Sequence, residues 1–186
     1  MDAPRTSPAE PTVGERLRRL RQERGLSLSA LARSAGIGKA TLSGLEHDTR
    51  NPTLETLYAI AGALGVPLTA LLLEPGAPPH AAADVRGSAV SATLLEVFHE
   101  PGVTFELLLM RVRPGAVQTS PAHAPGVTEH VTVFRGVLRV GPVGQPATVG
   151  PGQHHSWRAD VPHSYAAVGD EEVVSSLLIR SPRPAA

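Results

Sequence analysis

The sequence predicts a two-domain α + β protein in which a bundle of five short helices is followed by an antiparallel β-barrel. From residue 13 to residue 72, apolar residues recur every three or four positions, which is the period of an amphipathic helix. Beyond residue 88, apolar and polar residues alternate, and Gly and Pro separate short segments rich in Val and Leu. A chain of 186 residues is long enough for two small cores.

Hydroxyl residues and glycines predict where the helices begin and end. A Ser or Thr side chain accepts a hydrogen bond from the first turn, and a Gly ends a helix because it adopts the left-handed conformation at low cost. The expected boundary residues are Gly25, Ser27, Gly36, Gly38, Thr53, Gly65 and Pro67, with the fifth helix ending at Leu72. The apolar residues expected to face the core of the bundle are Val13, Leu17, Leu20, Leu28, Leu31, Ala32, Ala35, Leu42, Leu45, Leu54, Leu57, Ile60, Ala61 and Leu64.

The second half contains segments with strand alternation, separated by Gly and Pro turns. They are VSATLLEVF, VTFELLLMRVRPG, EHVTVFRGVLRVG, HHSWRA, HSYAAV and EEVVSSLLIR. We interpret His154 and His155 as exposed turn residues, because nothing else at ligand spacing accompanies them. No long internal repeat is evident.

Composition divides the chain into five parts. Residues 1–11 are rich in Pro and charge and are expected to be a disordered arm. A stretch of Pro, Gly and Ala with little periodicity predicts an interdomain linker over residues 75–88. The helical domain is therefore expected at 12–74, the barrel domain at 89–182 and a short tail at 183–186.

Charge and composition exclude several classes of protein. The 17 Lys and Arg residues balance the 17 Asp and Glu residues, but residues 11–50 carry eight basic and four acidic side chains. This segment is the expected anion-binding surface. The chain has no cysteine and hence no disulfide or zinc-thiolate site. Neither an export signal nor a membrane span is evident, so we expect a soluble cytoplasmic protein.

The stretch GIGKATLSGLEHDTRNPT has helix-turn-helix geometry, in which the second helix lies in the DNA major groove. Residues 13–74 closely resemble the XRE, or phage-repressor (lambda-repressor-like), type of helix-turn-helix. The residues that carry the resemblance are Leu26, Ser27, Leu31, Ala32, Gly36, Ile37, Leu42, Ser43, Leu45, Glu46, Asn51, Pro52 and Thr53. Two positions depart from the pattern: Leu28 stands where glutamine is usual, and Gly44 replaces a longer side chain.

This resemblance implies roles for individual residues. Arg21 and Glu46 match a structural ion pair, and Arg50 and Asn51 follow the recognition helix, where they would contact phosphate. The residues expected to face the bases are Lys39, Ala40, Thr41, Ser43 and Gly44. Because short side chains give limited direct readout, dimerisation is expected to supply much of the discrimination between DNA sequences.

The second half resembles the cupin barrel, a jelly-roll type, in the two signature motifs of that family. The residues that fit are Gly115, His123, Glu129 and Gly136 in the first motif and Gly152 and His163 in the second. The second histidine of the family's His-x-His pair is missing, because a proline occupies its position. Arg158, Asp160 and Ala167 replace the proline, glycine and asparagine of the second motif.

His123, Glu129 and His163 could bind one divalent metal (Fe, Mn, Zn or Ni), since two imidazoles and a carboxylate are a known ligand set with open positions. For His123, in a Pro-rich loop, a solvated side chain remains an equal alternative. His130 is expected on the opposite face of its strand from Glu129. The aromatic residues that could line an effector pocket, or simply belong to the core, are Phe105, Phe134, Trp157 and Tyr165.

These patterns together predict a dimeric transcriptional regulator that binds double-stranded DNA and whose barrel senses a small molecule or a metal. A metal-dependent cupin enzyme, such as a dioxygenase or isomerase with an appended DNA-binding domain, is the alternative. The incomplete histidine set argues against catalysis. An antitoxin-like partner protein is a third hypothesis, but it leaves the barrel unexplained.

Overall fold

The computed structural model describes residues 11–73 and 84–182 of the chain. The expected disordered arm falls outside this range except for Pro11, as do residues 75–83 of the expected linker and the expected tail at 183–186. Within the described residues, a helical domain precedes a strand-rich domain, which confirms the predicted two-domain α + β class. None of the described helices is long and apolar enough to cross a membrane.

The helical domain consists of short helices whose caps satisfy free backbone groups at their ends. The Ser27 hydroxyl accepts a hydrogen bond from the Ala30 amide at 3.1 Å, and the Thr53 hydroxyl accepts one from the Thr56 amide at 3.3 Å. Gly65 ends the fourth helix with a φ of 65°. The described helices are α1 (Val13–Glu23), α2 (Leu28–Ser34), α3 (Lys39–Glu46), α4 (Leu54–Leu64) and α5 (Thr69–Leu72).

Two features of the helical domain differ from the prediction. Helix α5 begins at Thr69 instead of Pro67, because the Ala70 amide donates to the Pro67 carbonyl in a tight turn that precedes it. Arg16 belongs to the basic residues of the segment that is expected to bind anions, but it is only 7% exposed. Its Nε donates to the Leu71 carbonyl at 2.9 Å, so Arg16 joins α1 to α5 and is not available to an anion.

The strand-rich domain consists of two facing antiparallel sheets of the jelly-roll type. The described strands are β1 (Asp84–Arg86), β2 (Val90–Glu100), β3 (Val103–Val112), β4 (Val117–Ser120), β5 (Thr128–Arg135), β6 (Val137–Pro142), β7 (Ala147–Val149), β8 (His154–Arg158), β9 (His163–Val168) and β10 (Val173–Pro182). One sheet has the strand order β1-β2-β3-β10-β5-β8 and the other has the order β4-β9-β6-β7. Strands β3 and β10 are neighbours in the sheet although they are distant in sequence, as the long crossover connections of this fold require.

Strand pairing corrects two expectations. Strand β1 lies within the range expected to be linker and pairs with β2. His154 and His155 are not turn residues, since they begin β8 and pair with Thr132 and Val131 of β5. The turn lies just before them, at Gly152, which has a φ of 76°. Strand β1 forms a short hairpin with the next strand, whereas β8 pairs with a strand that is not its neighbour in the sequence. Local composition carries no signal for either pairing.

The two sheets bury one face of each strand, as their alternation predicts. Leu108 and Met110 of β3 are at most 1% exposed. Three ionisable residues share this interior: Glu106 is 2% exposed, and Glu129 and His163 are 0% exposed. A buried ionisable side chain is costly unless it is paired, so these residues make the interior of this domain a candidate functional site.

Helices α4 and α5 lie against one end of the barrel domain. The Glu55 carboxylate on α4 accepts a hydrogen bond from the Ser88 amide at 2.9 Å. The Thr69 amide at the start of α5 donates to Glu106 Oε1 at 2.7 Å. A Cβ atom on Gly62 would lie 3.5 Å from the Ala122 carbonyl oxygen, which shows how closely α4 approaches the loop before β5. The helical domain therefore covers the part of the barrel that contains the ionisable residues.

Candidate functional site

Helix α3 exposes the face that the sequence assigns to DNA. Leu42 and Leu45 are buried in the bundle, which turns the opposite face outward. The residues on this outward face are Lys39 and Ala40, which are exposed, and Thr41, Ser43 and Gly44, which are half-buried. The helix has no side-chain cap at Gly38, so its first backbone amides are free to meet an anion.

Gly44 allows the side chain of Arg50 to cross the outward face of α3. A Cβ atom on Gly44 would lie 3.0 Å from Arg50 Cδ and 3.2 Å from Thr49 Oγ1. The Thr49 amide and hydroxyl both donate to the Gly44 carbonyl, at 2.9 and 3.1 Å. Arg50 and Asn51 are exposed beside this contact. The absence of a side chain at Gly44 therefore lets the aliphatic part of the Arg50 side chain pack against α3.

Arg21 and Glu46 form a bidentate ion pair between α1 and α3. Arg21 Nε lies 2.6 Å from Glu46 Oε1 and Nη2 lies 2.7 Å from Oε2. Arg21 Nη1 also donates to the Leu26 carbonyl at 2.9 Å. The side chains are 13% and 3% exposed, and the hydrogen bond to Glu46 raises the pKa of Arg21 despite its partial burial. This geometry holds α3 against the bundle and leaves Arg21 turned away from solvent.

The barrel brings His123, Glu129 and His163 together from the loop before β5, from β5 and from β9. His123 Nε2 lies 2.8 Å from Glu129 Oε1, and His163 Nε2 lies 3.5 Å from the same oxygen. The ligand atoms of the three residues all lie within 4.8 Å of one another. The solvated alternative for His123 is not observed, since its side chain is only 7% exposed.

The donor set of this cluster, which we call the triad, fits a divalent metal. His163 Nδ1 lies 2.8 Å from the Val161 carbonyl oxygen and donates to it, so in the neutral ring Nε2 carries the lone pair. That buried Nε2 atom has no hydrogen-bond partner among the described residues. An imidazole nitrogen that makes no hydrogen bond to the described residues, lies 3.5 Å from a carboxylate oxygen and is close to a second imidazole is an arrangement that Fe, Mn, Zn or Ni accepts.

The triad is electrostatically coupled. Burial opposes ionisation of Glu129, but hydrogen bonding to His123 and the neighbouring His163 outweigh it and hold the pKa of Glu129 well below its ordinary value. Burial opposes protonation of His163, but the Glu129 carboxylate outweighs it and raises the pKa of His163. The site therefore keeps a carboxylate charge in the barrel, and a bound cation would neutralise it.

Tyr165 and Trp157 adjoin the triad. The Tyr165 hydroxyl donates a short hydrogen bond to Glu129 Oε2, while burial and the Glu129 charge raise the pKa of Tyr165. The Trp157 ring lies 6.1 Å from the Tyr165 ring and 6.3 Å from the His163 ring, centroid to centroid.

The remaining aromatic and histidine candidates do not line the triad. Phe134 is 57% exposed, and Phe105 stacks on Phe98 at 4.9 Å. His130 points away from Glu129, as expected, and its ring lies 5.8 Å from that of His154.

Sequence reasoning missed two residues at the mouth of the barrel. Glu106 sits at an inward position of an apolar strand, so its period-two alternation with Leu108 could have revealed it. Burial raises its pKa. Tyr58 on α4 contacts His123, with ring centroids 4.6 Å apart. No sequence pattern marks Tyr58, because it lies on the apolar face that a bundle helix needs for its own core.

Known proteins match this chain over most of its length. Residues 17–71 match the family HTH_3, described as helix-turn-helix. The HTH-type transcriptional regulator SutR of Escherichia coli K12 is 35% identical over 167 residues, which cover 90% of this chain and 93% of SutR. The HTH-type transcriptional regulator PuuR of the same strain is 24% identical over 160 residues, which cover 82% of this chain and 86% of PuuR.

Solved structures resemble both domains. The crystal structure of an HTH_3 family transcriptional regulator from Vibrio cholerae is 30% identical with a TM-score of 0.78, and covers 92% of this chain and 96% of that chain. The Cupin_2 domain of an XRE family transcriptional regulator from Enterobacter cloacae is 32% identical with a TM-score of 0.47, and covers 51% of this chain and 99% of that one. Because SutR and the Vibrio cholerae protein match across both domains, the chain belongs to the XRE (HTH_3) family of helix-turn-helix transcriptional regulators.

Proposed function

We propose that α3 enters the DNA major groove and that its outward face reads the bases. Lys39 at the first turn is placed to donate to guanine O6 and N7, and the Ala40 methyl group to meet a thymine methyl. Arg50 and Asn51, exposed beside α3, bind phosphate. The observation that supports this assignment most is the outward face of α3, which carries only short side chains after Lys39 and has Arg50 beside it.

A pair of variants tests these roles. Lys39→Ala is expected to weaken specific binding and relax sequence preference, because it removes a base contact. Arg50→Ala is expected to weaken binding to all DNA equally and to lower the slope of log affinity against log salt by about one, because it removes a phosphate contact. Binding titrations at several salt concentrations separate the two, and identical behaviour of both variants would contradict the assignment.

The protein acts in the cytoplasm as a homodimer in this proposal. Helix-turn-helix domains that bind two half-sites place two recognition helices about one DNA turn apart, and a contact between barrel domains can set that spacing. Short side chains on α3 support this, because one half-site alone then gives limited specificity. Light scattering of the free protein and of its DNA complex tests the stoichiometry, and a single chain on each DNA duplex would refute it.

The triad binds the effector, which is a divalent metal or a small molecule that the metal holds. The ligating residues are His123, Glu129 and His163, and the unpartnered Nε2 of His163 carries the argument. Metal analysis of natively purified protein should find one ion per chain in the wild type and none in His163→Ala. His154→Ala is the matched control, since His154 is exposed on β8 and away from the triad. An absence of metal from the wild type would leave an organic effector as the occupant of the barrel.

Catalysis is the second candidate function, because two imidazoles and one carboxylate leave coordination positions open to a substrate. A metal there would supply Lewis-acid or redox chemistry, while Tyr165 would hold the Glu129 carboxylate in place. Turnover of a candidate substrate that disappears in His163→Ala would support an enzyme. Membership of a family of transcriptional regulators favours regulation over catalysis, and regulation requires only that the effector binds.

A further inference from the structure

Tyr58 connects the two domains at the triad. Its ring lies against the His123 ring at 4.6 Å, with an interplanar angle of 50°. The residue is 5% exposed, and its hydroxyl has no hydrogen-bond partner among the described residues. Two hydrogen bonds between the domains reach Ser88 and Glu106, neither of which belongs to the triad. Tyr58 therefore joins the helical domain to a ligating side chain directly.

Helix α4 leads from this contact to the DNA-binding surface. Tyr58 lies one turn from the N-terminus of α4, whose cap is Thr53. Arg50 and Asn51, the proposed phosphate contacts, lie three and two residues before that cap. Because a helix moves as a rigid unit, a shift of α4 at Tyr58 displaces this loop relative to α3.

Metal binding necessarily changes the environment of His123. His123 Nε2 lies 2.8 Å from Glu129 Oε1, and this hydrogen bond requires a proton on the nitrogen. An imidazole nitrogen that binds a metal must be free of that proton, so ligation through Nε2 ends the hydrogen bond. Because the His123 ring packs on Tyr58, the loss of this hydrogen bond alters the contact between His123 and α4.

We propose that Tyr58 is the residue that couples occupancy of the triad to DNA affinity, through the packing of its ring on His123. This inference rests on the proposed function, because it requires the triad to hold the ion. Tyr58 is a positioning residue in this mechanism: it sets the position of a ligand and transmits its change to α4. Thermodynamic reciprocity then requires DNA to alter the metal affinity of the triad by the same factor.

The experiment measures metal and DNA binding separately, with Mn²⁺ as the probe. The fluorescence of Trp157, the single tryptophan of the chain, reports Mn²⁺ because its ring lies 6.3 Å from that of His163. DNA affinity is measured with a duplex selected in vitro with the wild-type protein, without Mn²⁺ and with saturating Mn²⁺. The wild-type ratio of the two dissociation constants should differ from one by at least about fivefold.

Three variants separate the ring contact from other effects. Tyr58→Leu should bring the ratio to about one, since it removes the aromatic contact with His123. Tyr58→Phe keeps the ring and should retain the wild-type ratio. Tyr165→Phe is the matched control: it removes the hydrogen bond to Glu129 and should weaken Mn²⁺ binding, but it should keep the ratio at saturation because Tyr165 belongs to the barrel domain.

Three outcomes overturn the inference. A wild-type ratio in Tyr58→Leu, with Mn²⁺ bound, shows that the coupling bypasses this residue. A wild-type protein that binds none of Mn²⁺, Fe²⁺, Zn²⁺ and Ni²⁺ refutes the metal site itself and the inference with it. Hydrogen exchange of wild-type α4 gives a test that needs no variant, should Tyr58→Leu fail to fold. Mn²⁺ should change the protection of amides in residues 54–64, and unchanged protection contradicts the proposal.

Discussion

The ion pair between Arg21 and Glu46 predicts a large and specific loss of stability when the arginine is removed. Arg21→Ala leaves the Glu46 carboxylate, whose side chain is 3% exposed, without its two short charge-assisted hydrogen bonds. Breaking a buried pair by removing one partner costs about 3–5 kcal/mol. Because Arg21 itself is 13% exposed, water can reach the vacated position, and we expect the lower end of this range, about 3 kcal/mol.

The assay can assign this loss to one domain. Far-ultraviolet circular dichroism follows the helices during urea unfolding, while the fluorescence of Trp157 follows the barrel. The double variant Arg21→Met with Glu46→Leu removes both charges and should recover most of the lost free energy of unfolding, since no buried charge remains. A loss below about 1 kcal/mol for Arg21→Ala, the value of an exposed pair, would refute the reasoning. So would a double variant no more stable than Arg21→Ala.

Three further substitutions have expected outcomes. Gly14→Ala should destabilise the helical domain in urea unfolding, because its Cβ atom would clash with the backbone carbonyl oxygen of Leu45 in α3; an unchanged midpoint would contradict this. Gly44→Ala should raise helix stability by up to about 1 kcal/mol but weaken DNA binding, because the added methyl group displaces Arg50; tighter binding would refute that contact. Burial raises the pKa of Glu106, so the folded protein binds its proton more tightly than the unfolded chain does, and stability is lost as pH rises through the folded pKa. Glu106→Gln keeps an acceptor for the Thr69 amide and should be more stable than the wild type at neutral pH, with a difference that shrinks on acidification below the unfolded pKa; a constant difference would exclude this cause.

Local rules were sufficient for the helical domain. Ser27 and Thr53 predicted caps that the structure contains, because a cap depends on residues only three positions apart. The arrangement of two helices about the Gly36 turn predicted the helix-turn-helix for the same reason. The prediction that Arg16 belongs to the anion-binding surface was wrong. The sequence shows the charge of Arg16 but not the hydrogen bond that its side chain donates to the Leu71 carbonyl.

The barrel shows where local rules fail. Motif spacing indicated His123, Glu129 and His163, but the 4.8 Å cluster depends on β5 and β9 lying in facing sheets. The placement of His154 and His155 in β8 likewise required the pairing with β5.

The sequence by itself determined the two-domain architecture and the outward residues of α3, because periodicity and caps are properties of neighbouring residues. The resemblance to family motifs indicated the residue types of the triad. Only the tertiary structure decided that Tyr58 of the helical domain lies on His123 of the barrel domain. Contacts between residues 65 positions apart depend on how two independent cores dock, and a tyrosine on an apolar helix face looks the same in sequence whichever surface it meets.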